Sequence, residues 1–133
     1  MKKMNPVVHF EMPAKDRDRM AGFYSEVFGW KAQMLGEDMG NYVTVATTET
    51  DENNMVKTPG VINGGFYPLK DGDPASAPSI VISVDDIRDS IRKVTGAGGK
   101  ILGEPVNIPG VGEYVSFIDT EGNRCSILQP LMR

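Results

Sequence analysis

The chain contains a single histidine, His9, which makes that residue the natural candidate for acid–base chemistry. Glu11 follows two residues later. In a strand these two side chains would point to the same side, because successive side chains alternate. Glu11 could then raise the basicity of His9 or bind a cationic ligand. The alternatives are a structural histidine held by hydrogen bonds and a solvated or salt-bridged glutamate. We take His9 and Glu11 as the catalytic candidates.

Five further residues are candidates for contact with a small ligand: Trp30, Asn63, Ser79, Tyr114 and Ser126. The Trp30 ring could stack on a flat ligand, or it could pack at the end of a helix. Tyr114 has a counterpart at Tyr42, and this symmetry also fits a shared structural role. Cys125 has no histidine near it in sequence, and we expect a buried, inert thiol.

Two passages of the chain are similar to each other, and the similarity predicts an internal duplication. Residues 40–45 read GNYVTV and residues 112–117 read GEYVSF. An alignment of His9 with Ser79 also aligns Asp16 with Asp86 and Gly29 with Gly99. Two matches in the same order, at nearly the same offset, indicate two related units. Each unit reads as β-α-β-β-β, which predicts an α+β fold.

The candidate residues must be positioned by two helices and eight strands. Apolar residues at helical spacing predict helices over about 16–28 and 86–97, with the first stripe formed by Met20, Phe23, Tyr24, Val27 and Phe28. Asp16 and Asp86 can cap the helix starts, and Gly29 can end the first helix. Short alternating runs predict strands near 7–12, 31–35, 41–47, 61–67, 79–84, 100–103, 113–119 and 124–129. The more apolar face of each first strand should carry the helix.

We expect one domain over residues 6–130, with one module over 6–67 and another over 79–130. The Pro-, Asp- and Gly-rich stretch 68–78 reads as a linker. Residues 105–112 contain two prolines and two glycines. This stretch could be a lid, but we favour a surface turn. Gly64 and Gly65 within a strand would permit a bulge or a close backbone approach.

Composition limits the partners. The 133 residues carry a net charge of −4 with no basic run, which argues against nucleic acid or an anionic membrane. No apolar run approaches a transmembrane length, and the first residues are too short and polar for a signal peptide. One cysteine excludes an internal disulfide. We therefore expect a cytoplasmic protein with no membrane or nucleic-acid partner.

The chain resembles the vicinal oxygen chelate superfamily of glyoxalase I, bleomycin-resistance proteins and extradiol dioxygenases. The resemblance rests on the segments 9–11, 23–24, 28–30, 84–87 and 119–123. It implies that the two modules form a curved mixed sheet, an incomplete barrel with a concave cup. Metal-dependent members place up to four ligands in this cup, and the metal binds two adjacent substrate oxygens. The resemblance also implies a homodimer.

The metal ligands of the resembled family carry over poorly. His9 matches one ligand position, but Ser79 stands where His or Gln is usual and Ser126 stands where Glu is usual. The segment 63–65 offers neither a carboxylate nor an imidazole. We therefore expect no cofactor and no metal ligands, and predict metal-independent binding of a small apolar or aromatic molecule in the cup. The alternative is a lyase/isomerase or dioxygenase-type enzyme that uses His9 as metal ligand or general base.

Overall fold

The computed structural model describes residues 3–53, 55–70 and 77–131. Contacts divide the chain into two compact units. The first unit is His9–Pro78, and the second is Ser79–Arg133 together with Met1–Val8. Of the predicted linker 68–78, residues 71–76 lie outside the described residues. Within the described ranges, neither helix has the length and apolar character needed to cross a membrane.

The first unit follows the predicted β-α-β-β-β order. Its elements are β1 (Val7–Ala14), α1 (Arg17–Phe28), β2 (Lys31–Met34), β3 (Val43–Ala46) and β4 (Asn63–Pro68), with a short 3-10 turn at Glu37–Met39. The strands form an open mixed sheet in the order β1-β4-β3-β2. β1 and β4 run parallel, and the other two pairs are antiparallel.

The second unit repeats this arrangement. Its elements are β5 (Ser79–Ser83), α2 (Ile87–Gly96), β6 (Lys100–Ile108), β7 (Gly112–Ile118) and β8 (Arg124–Pro130). The order is β5-β8-β7-β6, with β5 parallel to β8 and the other pairs antiparallel. The identical order and strand directions confirm the predicted fold class of two tandem modules.

The helix ends are capped as the sequence predicts. Asp16 accepts a hydrogen bond from the backbone N–H of Arg19 at 3.0 Å, and Gly29 ends α1 with a φ of 74°. Asp86 accepts from the N–H groups of Arg88 and Asp89 at 3.0 and 3.2 Å. These caps place each helix directly after the first strand of its unit.

The buried face of α1 differs from the predicted stripe. The core of the first unit contains Ala14, Ala21, Val43, Val45 and Phe66, with Met12, Met20, Tyr24 and Trp30 packed against it. Phe23, Val27 and Phe28 are instead 55, 53 and 60 % exposed. At 100° per residue the predicted stripe spans about 140° of the helix circumference. Phe23 and Val27 lie at one edge of that arc, beyond the core contact made by Met20, Tyr24 and Ala21, whereas Phe28 is exposed because it is the last residue of the helix.

The second core includes residues of α2 and of one side of the first strand of the unit. Val84, Ile87, Val115 and Ile127 are buried, with Ile82, Ile91, Ile101 and Phe117 packed against them. Ile82 and Val84 belong to the apolar side of the first strand of the unit, and Ile87 and Ile91 to the stripe of α2. The more apolar side of this strand therefore carries the helix.

The expected surface turn at 105–112 is wrong in extent. β6 continues to Ile108, and its pairing with β7 shifts register between Leu102 and Val106. Gly103 supplies a positive φ of 79° in this bulge. Because pairing is interrupted there, Pro105 does not need the backbone N–H that it lacks. The actual turn is shorter, with a hydrogen bond from the Val111 N–H to the Ile108 carbonyl at 3.0 Å.

Candidate functional site

The strand register places His9, Glu11 and Thr44 on one side of the sheet of the first unit, which we call its polar side. In the β1–β4 pair, His9 lies opposite Asn63 and Glu11 lies opposite Gly65. Gly65 in turn lies opposite Thr44 of β3. Phe10 and Met12 alternate with His9 and Glu11, and Met12 packs against the core beneath α1. His9 and Glu11 therefore lie together on the side of the sheet that faces away from α1.

The hydroxyl of Tyr42 joins His9 to Glu11. It lies 2.9 Å from His9 Nε2 and donates a hydrogen bond to Glu11 Oε2 at 3.0 Å. Tyr42 comes just before β3 and is two residues from Thr44, so its ring lies over the same side of the sheet. His9 and Glu11 were predicted from the sequence, but Tyr42 was considered there only as the counterpart of Tyr114.

The absence of a side chain at Gly65 makes room for Tyr42. A Cβ atom added at position 65 would lie 2.0 Å from the Tyr42 hydroxyl oxygen. The neighbouring Gly64 serves the opposite side of the sheet, because a Cβ there would lie 2.5 Å from the Phe10 ring. The pair of glycines thus permits close approach on both sides, as the sequence allowed, and forms no bulge in the β1–β4 register.

Burial controls the charge of His9. Burial lowers the pKa of His9 below its ordinary value of 6.5 by desolvation, while the nearby Glu11 carboxylate raises it by a smaller amount. Neutral imidazole is therefore the main form at pH 7. Glu11 is 7 % exposed, so a carboxylate that accepts from Tyr42 lies close to a neutral, half-buried base.

Asn63 and Trp30 lie in the first unit but make structural contacts. The Asn63 side-chain oxygen accepts from the backbone N–H of Thr47 at 2.8 Å, which ties the end of β3 to the start of β4. The Trp30 ring stacks on Tyr24 with centroids 4.7 Å apart and also contacts Phe10. This is the packing alternative for Trp30. Ligand contact by these two residues stays a prediction.

The second unit carries a cluster of hydroxyl groups with one guanidinium. The Ser126 hydroxyl lies 2.7 Å from that of Tyr114 and 2.9 Å from that of Ser116. Arg124 donates to the Ser116 hydroxyl at 3.2 Å. The sequence singled out Tyr114 and Ser126 but missed Ser116 and Arg124. Ser116 lies two residues from Tyr114 on β7, and Arg124 lies two residues from Ser126 on β8. This spacing puts each pair on the same side of its strand and is the signal that could have identified them.

Ser79 is the remaining candidate of the second unit. Its hydroxyl oxygen is buried and has no hydrogen-bond partner among the described residues. Val81 lies opposite Ser126 in the parallel β5–β8 pair. The same register, continued two residues back, brings Ser79 next to Arg124. Cys125 on β8 is partly exposed, so the expected full burial is wrong, but desolvation raises the pKa of its thiol and disfavours the reactive thiolate.

The donor set does not fit a divalent metal ion of the resembled family. Within residues 3–53, 55–70 and 77–131, no group of three His, Cys, Asp or Glu side chains comes together. His9 Nε2 and Glu11 Oε2 are both bonded to the Tyr42 hydroxyl. The tyrosine therefore takes the position that a metal shared by these two side chains would need. Hydroxyls at Ser79 and Ser126 are poor replacements for imidazole and carboxylate.

Comparison with known proteins establishes the family. The model of the Glyoxalase/Bleomycin resistance protein/Dioxygenase superfamily matches residues 7–127. The chain therefore belongs to this superfamily, which confirms the resemblance inferred from the sequence.

Individual relatives agree with this assignment. A glyoxylase-like domain-containing protein of Didymella fabae is 34% identical over 120 residues, which cover 88% of each chain. The hypothetical protein BH1468 of Bacillus halodurans C-125 superposes with a TM-score of 0.69 at 15% identity, covering 98% of both chains. The methylmalonyl-CoA epimerase of Streptomyces coelicolor, in complex with 2-nitronate-propionyl-CoA, has a TM-score of 0.69 at 12% identity and covers 97% of this chain and 99% of its own. At such identities the two structures support the fold alone.

Proposed function

We propose that this protein binds a small apolar or aromatic molecule without a metal ion, on the polar side of the first unit. The observation that carries the proposal is the Tyr42 hydroxyl between His9 and Glu11. It engages His9 Nε2 and one carboxylate oxygen of Glu11 in hydrogen bonds, so these two atoms face a hydroxyl and not a shared metal ion. The groups beside this hydroxyl that a ligand could contact are the His9 ring, the Tyr42 ring and the Gly65 backbone. Ligand sites commonly combine such apolar area with a few polar groups.

A binding screen under two metal conditions tests this proposal. Thermal unfolding would be measured with a panel of aromatic compounds, first after exhaustive treatment with a chelator and then with added Zn²⁺, Ni²⁺ or Mn²⁺. Binding to the folded state raises the unfolding temperature by an amount that grows with the logarithm of ligand concentration above Kd. We expect at least one aromatic compound to give a concentration-dependent shift that is equal in both conditions and is lost in His9→Ala.

The control for charge removal is a carboxylate on the surface of the other unit. Glu11→Gln should change the ligand-induced shift, while Glu113→Gln should not, because Glu113 is an exposed partner of Arg88. Stoichiometric metal in native protein that is lost in His9→Ala would overturn the proposal. Ligand shifts that require added metal would also overturn it.

The second candidate function is an enzyme in which His9 acts as general base. The observation that favours it is the burial of a neutral imidazole beside Glu11, which keeps the base unprotonated at pH 7. Exchange of a substrate C–H proton in deuterated solvent is the direct assay, since proton abstraction precedes any isomerisation. The hemithioacetal of methylglyoxal with glutathione and methylmalonyl-CoA are suitable test compounds. Exchange abolished by His9→Gln would favour the enzyme, and no exchange with either compound would favour the binding protein.

We also propose that the protein is a cytoplasmic homodimer. The support in the structure for association is the exposed apolar side of α1, where Phe23, Val27 and Phe28 are each more than half exposed. Large apolar side chains on one helix face are typical of a surface that another chain covers. The cytoplasmic location rests on the sequence argument alone.

A further inference from the structure

We infer that Tyr42 and Glu11 hold His9 as the tautomer with its proton on Nε2, so that the polar side of the first unit selects ligands that donate a hydrogen bond. Phenols and N–H compounds would bind there in preference to ethers and carboxylates. This inference deepens the proposed function and rests on it for the ligand. The tautomer itself is independent of any ligand.

The direction of the hydrogen bonds fixes the tautomer. A carboxylate can only accept hydrogen bonds. The Tyr42 hydroxyl therefore donates its single proton to the hydrogen bond with Glu11 Oε2, 3.0 Å away. The same hydroxyl oxygen lies 2.9 Å from His9 Nε2. With its proton already directed to Glu11, the oxygen acts as acceptor toward His9. The proton of this second hydrogen bond therefore lies on Nε2, which leaves the lone pair of a neutral imidazole on Nδ1.

The Nδ1 atom is open to a ligand. Among the described residues no hydrogen bond to Nδ1 occurs, and the atom is not one of the enclosed polar atoms that lack a partner. His9 is half-buried as a residue, and the described residues neither bond to Nδ1 nor enclose it fully. A ligand therefore meets an acceptor at Nδ1.

The negative charge of Glu11 favours the same neutral, hydrogen-bond-donating ligands as the Nδ1 acceptor does. The nearby Glu11 carboxylate is 7 % exposed, and little solvent screens it. A carboxylate ligand would approach this charge without finding a donor on neutral His9. A ligand that offers O–H or N–H would satisfy the Nδ1 lone pair and add no negative charge. The acceptor character therefore excludes anions and favours neutral donors.

Nitrogen NMR of the imidazole ring tests the tautomer. His9 is the only histidine, so an untagged, ¹⁵N-labelled sample gives a single set of ring signals that need no assignment by mutation. At pH 8 we expect the wild type to show one ring nitrogen in the N–H range and the other in the lone-pair range, with Nδ1 as the lone-pair nitrogen. Tyr42→Phe should move both signals toward the average of the two tautomers.

Two variants separate this effect from general disturbance. Glu11→Gln keeps an amide oxygen that can accept from Tyr42, so the tautomer should persist while the charge is gone. Tyr114→Phe removes the same atom from the equivalent tyrosine of the second unit, which bonds to Ser126, and should leave the His9 signals unchanged. A wild type with the proton on Nδ1, or a Tyr42→Phe spectrum like that of the wild type, would overturn the inference.

Three naphthalenes of the same shape test the ligand preference by titration at pH 8. 2-Naphthol donates a hydrogen bond, 2-methoxynaphthalene only accepts, and 2-naphthoate is an anion. The loss of one hydrogen bond of ordinary strength corresponds to a change in affinity of about tenfold. We expect 2-naphthol to bind about tenfold more tightly than its methyl ether, 2-naphthoate to bind most weakly, and Tyr42→Phe to reduce the first ratio.

The outcomes of the titration distinguish the two proposals. Equal affinity for the naphthol and its ether, or tightest binding of 2-naphthoate, would refute the donor preference while leaving a small-molecule site intact. If none of the three binds, the result counts against the proposed function and against the ligand preference together. The ring nitrogen spectrum would still decide the tautomer.

Discussion

Replacement of Gly65 by alanine provides the sharpest test of the site. The added Cβ would lie 2.0 Å from the Tyr42 hydroxyl oxygen, far inside van der Waals contact. The atom in conflict is the far end of a tyrosine side chain, which can swing away more easily than the backbone can move. We therefore expect Gly65→Ala to fold normally with Tyr42 displaced from His9 and Glu11.

The expected loss of stability follows from the hydrogen bonds that are broken. A hydrogen bond to a charged group contributes about 1.5–3 kcal/mol, and Glu11 loses its Tyr42 donor while 7 % exposed. Replacement of glycine by alanine within a strand raises the free energy of unfolding by about 0.5–1 kcal/mol, because alanine loses less backbone entropy on folding. The net change in the free energy of unfolding should be a loss of about 1–2 kcal/mol.

The adjacent glycine supplies a matched control. In Gly64→Ala the new Cβ would lie 2.5 Å from the Phe10 ring, on the core side of the same strand. Overpacking there should cost about 1–3 kcal/mol. Both variants should lose stability in urea unfolding, but only Gly65→Ala should change the ring nitrogen signals of His9.

A double-mutant cycle isolates the contact. In a Tyr42→Ala background, the Cβ at position 65 meets no phenol ring, so Gly65→Ala should cost nothing or stabilise slightly. The coupling free energy should then be about 1–2 kcal/mol, within the range for residues in contact. Additive effects of the two substitutions, or unchanged His9 signals in Gly65→Ala, would refute the reasoning.

Three further predictions use the same variants and common assays. Because burial gives His9 a folded-state pKa below 6.5, the unfolded chain binds more protons, so stability should fall as pH drops through 6.5 toward the folded pKa. The urea midpoint between pH 8 and pH 5 should therefore fall more for the wild type than for His9→Gln, and equal slopes would count against it. Glu11→Gln should lower the pKa of His9 further in an NMR titration, since the Glu11 carboxylate favours the protonated ring, and a higher pKa would contradict the geometry. Light scattering after size exclusion should give twice the 14.5 kDa chain mass, with a shift toward monomer in Phe23→Ser/Val27→Ser but not in Asp18→Ser, and a monomeric wild type would remove the dimer proposal.

Much of the fold could be predicted from the sequence because local signals and the repeat agree. Asp16 and Asp86 cap helices at equivalent positions, and the strand alternation assigns the core side of each sheet correctly. The predicted strand at 100–103 was too short because Pro105 and Gly103 read as a turn. In the structure a bulge accommodates Gly103 and Pro105 within a longer strand. The sequence of β6 alone does not reveal this bulge, because a bulge is defined by the pairing with the neighbouring strand.

The candidate site was predictable only in part. His9 and Glu11 are identified by residue type and spacing within one strand. Tyr42 joins them from another strand, 31 and 33 residues away, and no local pattern contains that contact. The exposed residues of α1 were also unpredictable, because hydrophobic periodicity gives the direction of an apolar face but not the width that the sheet covers.

The close approach of Tyr42 to Gly65 has a consequence for the history of the two units. Position 65 corresponds in the strand register to Ser126 of the second unit, where a side chain is retained. Any lineage that gained a side chain at position 65 would first have had to move the tyrosine, since the two cannot occupy the same space. The second unit shows that a tyrosine and a side chain can coexist there, since the Tyr114 and Ser126 hydroxyls lie 2.7 Å apart, so a side chain at 65 requires Tyr42 to take another position but does not require its loss. The need for this movement would limit how readily this unit could acquire the carboxylate ligand of a metal-dependent relative.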